Sequence, residues 1–126
     1  MMSKPEASGV RKLINSTRYS FQGFKSAWCN EEAFRLECVL FLFLSPIALF
    51  ISESLAHTLL LLLSLALVIL AEVINTALES VVDRIGEERH PLAGQAKDLG
   101  SAAVFVTLSI VAMVWLPSLW RFANRS

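Results

Sequence analysis

Charge is scarce in this chain. Asp, Glu, Lys and Arg make up 17% of its 126 residues against 55% hydrophobic ones, and the mean hydropathy is +0.57. Soluble domains carry about 25% charged residues, so this composition excludes one and indicates a small integral membrane protein. Cysteine is almost absent as well. Cys29 and Cys38 stand without CxxC or other metal-ligand spacing, which excludes a disulfide framework and leaves two thiols expected to be buried near the start of the first apolar segment. The motifs of soluble phosphotransferases are missing: Gly94-Gln95-Ala96-Lys97 has neither the GxxxxGK frame nor the following Ser or Thr of a Walker A loop. The HRD and DFG sets of protein kinases are missing too. The N-terminal stretch MMSKPEASGVRKL is polar, with no apolar core ahead of small cleavage residues, so it is not expected to act as a signal peptide. Lys and Arg sit beside the apolar segments, which suits anionic headgroups and argues against a nucleic-acid partner.

What is present is long apolar runs in a definite order. After a disordered lead expected over 1–10, residues 11–30 place Ile14, Thr17, Phe21, Phe24 and Trp28 at helical spacing, with Arg11, Lys12, Arg18 and Lys25 mostly elsewhere on the wheel. A basic amphipathic helix rich in aromatics lies in the headgroup plane. Membrane helices are expected over 34–51, where Pro46 predicts a bend, and over 55–85 and 99–120. The tight turn Ser52-Glu53-Ser54 joins the first two, and a loop over 86–95 precedes the third. The whole forms one all-α membrane domain, 1–126. Nine of the eleven Lys and Arg residues fall before or at the opening of the first span or around the loop after the second; only Arg121 and Arg125 follow the third. The positive-inside rule therefore puts the N-terminus and that loop in the cytoplasm. Trp28, Trp115 and Trp120 read as interfacial anchors, and His57 falls at the opposite membrane face. Spans this thin cannot enclose a polar site alone, so a homo-oligomer is expected. Small residues, among them Ala66, Ala71, Ala77, Gly100, Ala102 and Ala103, allow its helices close approach.

Glu72, Asn75 and Glu79 follow directly on the apolar run 59–71. At ~100° and ~1.5 Å per residue they share one stripe of a helix, the two carboxylates roughly 10 Å apart along the axis, and Asp83 extends it. Intramembrane carboxylates are costly and mark functional sites by default. Paired carboxylates with a side-chain amide and a lysine suit magnesium-dependent phosphoryl transfer: carboxylates hold the metal, lysine contacts phosphate, and a further carboxylate takes the hydroxyl proton. Spacing alone leaves open a proton- or cation-coupling site in a small oligomeric transporter.

The blocks AWCNEEAFRLE (27–37), AEVINTALESVVDRIG (71–86) and AKDLGSAAV (96–104), in this order, resemble the prokaryotic diacylglycerol kinase family, and the resemblance runs from about Arg11 to Trp120. It implies a domain-swapped homotrimer with three membrane helices and a surface helix per subunit, sites at subunit boundaries, and transfer of the γ-phosphoryl group of ATP to diacylglycerol with Mg²⁺. Undecaprenol is the alternative acceptor among related small enzymes. By motif it implies Glu72 as general base supported by Asn75, and Glu31 and Glu79 as metal ligands. ATP contacts are implied for Lys12, Tyr19, Glu31, Glu79, Glu88, Arg89, His90, Lys97 and Asp98. Lipid contacts are implied for Thr17, Phe21, Lys25, Trp28, Arg35, Glu37, Glu72 and Ser101. Lysine at position 12 offers phosphate a point charge rather than the bidentate grip of arginine.

Overall fold

A computed structural model describes residues 8–86 and 90–125. These form four helices and no strand: α1 (Gly9–Asn30), α2 (Glu32–Ile51), α3 (Leu55–Ile85) and α4 (Pro91–Ala123). The last three are each long and apolar enough to cross a membrane, and the fold is that of an all-α integral membrane protein. Hydrocarbon dictates helix here, because every backbone N–H and C=O must be paired within the segment. With 31 residues, α3 is about 46 Å long against a ~30 Å hydrocarbon core. If Leu55 starts at one boundary, the core is filled by about Ile74, so Glu72 lies just inside the other boundary and Asn75, Glu79 and Asp83 stand at and beyond it.

Helix boundaries have local causes. α1 stops at Glu31, in an extended conformation (φ −120°, ψ 109°), without proline or glycine. The Arg35 guanidinium supplies the cap: Nη1 donates to the carbonyls of Trp28 (2.7 Å) and Cys29 (3.4 Å), two of the acceptors that a helix C-terminus leaves unpaired. α3 begins at Ser54, whose hydroxyl accepts the His57 N–H at 3.1 Å. The expected loop over 86–95 is too long, since α4 starts at Pro91. His90 is its N-cap, with Nδ1 accepting the Leu92 N–H at 3.1 Å, and proline at the first helical position forfeits no hydrogen bond. The His-Pro pair is thus a helix start rather than part of a long turn. α2 continues through Pro46 and α4 through Pro117.

α3 is the central element, packed most extensively on α4 and next on α2, while α1 lies against α2. The core gathers Ala48, Ile51, Leu61, Leu65 and Trp115 toward the α2–α3 turn. Trp115 is therefore no interfacial anchor: it is 5% exposed, and its indole N–H donates to Ser64 Oγ (3.1 Å) and the Leu61 carbonyl (3.3 Å). A buried indole needs such an acceptor. Trp28 and Trp120 are exposed. Polar links close the same end of the bundle, with His57 Nε2 2.8 Å from Ser118 Oγ and Arg125 joined to the Glu53 carboxylate (3.1 Å) and the Ile51 carbonyl (3.0 Å). The thiols are not buried as expected; Cys29 is exposed and Cys38 half-buried, because α1 covers little of α2. Large apolar side chains such as Phe50, Phe105 and Met113 face outward, the pattern of a surface solvated by lipid or by further subunits.

Candidate active site

Away from this core, α3 turns its acidic stripe toward α2 and α4. Glu72 and Asn75 are only 7% and 8% exposed, and Glu79 is half-buried. Asn75 Nδ2 donates to Glu79 Oε1 at 3.3 Å, one helical turn on, so the amide orients that carboxylate. The other end of the amide, Oδ1, is buried without a hydrogen-bond partner among the described residues. It lies against Gly100 of α4, where a Cβ would overlap Oδ1 and stand 3.2 Å from Cγ. Only glycine permits this approach. Between the two helices runs a groove of about 260 Å³, lined by Ala71, Ile74, Asn75, Leu78 and Gly100 among others, so one polar group meets an otherwise apolar cleft.

Three further carboxylates act on Glu72 through their charge. Glu79 and Glu31, the latter at the break between α1 and α2, are near enough to repel its charge, as is Glu37 of α2. The ion pairs among the described residues are Lys97–Asp83 and Arg125–Glu53, so none of the four acids has a cation. Glu37 Oε2 is buried without a hydrogen-bond partner among those residues. Acidic groups gathered without neutralisation are expensive, and a cation held by oxygen donors relieves that cost. No three His, Cys, Asp or Glu side chains converge on a metal position among the described residues. Mg²⁺ requires no such cage, since it commonly takes one or two carboxylates and completes its shell with phosphate and water. The all-oxygen donor set of the carboxylates fits that ion.

The fold brings together Glu31, Glu37, Glu72, Asn75 and Glu79. Lys97 joins them through α4: its ammonium lies 2.8 Å from Asp83 Oδ1 and within electrostatic reach of Glu79. Asp98 and Ser101 are exposed on α4. Lys12, Thr17, Tyr19, Phe21 and Lys25 lie exposed on α1, and no hydrogen bond or ion pair among the described residues joins them to α3 or α4. Thr17 Oγ1 is turned to the Leu13 carbonyl (2.8 Å), and the Arg18 guanidinium covers the Tyr19 ring. Trp28 borders a groove with Cys38, Phe41 and Ser45, while Arg35 turns its Nη1 to the α1 cap. Glu88 and Arg89 lie outside the described residues, and His90 caps α4. Sequence reasoning did not foresee Asp83 as the lysine's partner, although the stripe included it, nor Gly100 as the seat of Asn75, although its smallness was the signal.

The family described as prokaryotic diacylglycerol kinase matches residues 18–119. A diacylglycerol kinase of Haemophilus influenzae is 52% identical over 110 residues, covering 87% of this chain and 93% of the relative. One of Escherichia coli K12 is 42% identical over 113 residues (90% and 93%), and one of Pseudomonas aeruginosa is 39% identical over 108 (86% and 88%).

Proposed function

The chain belongs to the prokaryotic diacylglycerol kinase family, and from that membership we propose a membrane enzyme that transfers the γ-phosphoryl group of ATP to the primary hydroxyl of diacylglycerol at the cytoplasmic face. The observation that carries the reading is Glu72, buried beside three other carboxylates and paired with no cation among the described residues. Lipid reaches this level from the bilayer, and MgATP reaches it from the cytosol because α3 outruns the hydrocarbon. Glu72 accepts the proton of the diacylglycerol hydroxyl as its oxygen bonds to the γ-phosphorus and the bond to the β-γ bridging oxygen breaks, giving phosphatidic acid and ADP. Glu31 and Glu79 are the metal-holding carboxylates, and Asn75 keeps Glu79 aimed. Mg²⁺ held there would supply neutralisation of the phosphate charge. Lys97 places its ammonium beside the phosphates, and Asp98, His90, Glu88 and Arg89 complete the nucleotide side. Lys12 and Tyr19 on the exposed α1 come to the same site when it is shared between subunits of a homotrimer, and α1 with Glu37 and Ser101 guides the lipid.

The test is a mixed-micelle assay of purified protein with γ-labelled ATP, with and without Mg²⁺, offering diacylglycerol and undecaprenol in parallel. Labelled phosphatidic acid that depends on Mg²⁺ is the expected product. Label on undecaprenol alone would replace the substrate, and solute or proton flux without ATP consumption would replace the enzyme with a transporter.

A further inference from the structure

Lys97 is ion-paired to the acidic stripe at Asp83, yet it stands on a different helix and ends in four flexible carbons. Its ammonium is not left to wander: Nζ donates to Asp83 Oδ1 at 2.8 Å. Asp83 lies one turn beyond Glu79 on α3, so the pair spans from α3 to α4 at the mouth of the site, between the loop and the buried Glu72 and Asn75. Both side chains are largely exposed, at 47% and 66%, and a pair this wet adds little to stability. Its consequence is positional. An ammonium has three N–H donors; Asp83 occupies one, and two remain for phosphate oxygens. We propose that Asp83 is a positioning residue that holds the Lys97 ammonium in the place where it receives the nucleotide, an inference that rests on the reading of Lys97 as a phosphate contact. The neighbouring Asp98 is turned ~100° away around α4 and makes no ion pair among the described residues, so it is no substitute.

The test compares wild type with Asp83→Asn, Asp83→Glu and Asp83→Asn in a Lys97→Gln background, reading MgATP affinity by equilibrium titration, KM and kcat for MgATP, and the unfolding temperature. Asp83→Asn is expected to weaken MgATP binding and raise its KM by roughly 2- to 5-fold, with a smaller change in kcat and an unchanged unfolding temperature. Asp83→Glu restores most of the loss, and the substitution has no further effect once Lys97 is gone. Unchanged or tighter MgATP binding in Asp83→Asn, or an equal effect without Lys97, overturns the proposal. Wild-type protein that binds MgATP but leaves diacylglycerol unphosphorylated would instead refute the functional reading, because the titration still measures Asp83.

Discussion

Gly100→Ala adds a single methyl group to α4, and its effect follows from what that methyl meets. The new Cβ would overlap Asn75 Oδ1 and stand 3.2 Å from Cγ, while Leu78 at 3.7 Å remains in ordinary contact. Asn75 is buried, so its amide must rotate and give up the 3.3 Å hydrogen bond to Glu79. Overpacking costs about 1–3 kcal/mol, and a hydrogen bond to a carboxylate contributes about 1.5–3 kcal/mol, toward the low end at this length. Alanine recovers about 1 kcal/mol of helix propensity. The net is a loss of about 1.5–3.5 kcal/mol in stability. Turnover should fall by more than that implies, roughly 10- to 100-fold, because a displaced Asn75 lets Glu79 swing by an ångström-scale distance at a reacting centre. Unfolding of the detergent-solubilised protein and phosphatidic acid formation by the same sample measure the two effects. Gly94→Ala is the control, since its new Cβ meets no described atom within 4 Å beyond its chain neighbours and its own helix backbone, and it should stabilise α4 by about 0.5–1 kcal/mol. In an Asn75→Ala background the stability penalty of Gly100→Ala should vanish. Wild-type turnover and stability in Gly100→Ala would refute the argument that this contact orders the site.

Glu72→Gln should lower turnover by at least about 10²-fold, the usual contribution of a general base, with helicity and oligomeric state retained; full activity would end the base assignment. Arg35→Met removes the cap from the Trp28 and Cys29 carbonyls and should cost about 1–3 kcal/mol locally. Faster amide exchange across 27–31 with α3 unchanged would show it. Trp115→Phe should destabilise the bundle by about 1–2 kcal/mol through the lost indole hydrogen bond and volume, whereas Trp120→Phe, exposed, should stay within about 0.5 kcal/mol. Thermal unfolding of the two variants side by side checks the contrast. Chelation of Mg²⁺ should abolish phosphate transfer while the four-helix circular dichroism signal persists.

The cost of the site explains why the core lies elsewhere. Leu61, Leu65, Ala48 and Trp115 pack densely toward the α2–α3 turn, and His57, Ser118, Glu53 and Arg125 tie that end shut. The acidic end has no comparable apolar cluster. A bundle whose stability is concentrated at one end tolerates uncompensated carboxylates at the other.

Local chemistry alone determined the three membrane helices, the amphipathic first helix and the common face of Glu72, Asn75 and Glu79, because hydrophobic runs and the 3.6-residue period act within a segment and hydrocarbon forbids any other open backbone. The His90-Pro91 start of α4 was also written locally, as a cap followed by an N1 proline, but the same dipeptide signals a turn, and only the folded chain chose between them. Tertiary structure decided the rest: that Asn75 rests on Gly100, that Lys97 turns to Asp83, that Arg35 caps α1, and that Trp115 points inward to Ser64. Each of the contacts to α4 joins residues more than a dozen positions apart in sequence, on faces whose rotation is set by which side chains interlock between helices. Lipid is as apolar as leucine and does not favour one rotation over another, so packing and polar pairing between helices select it.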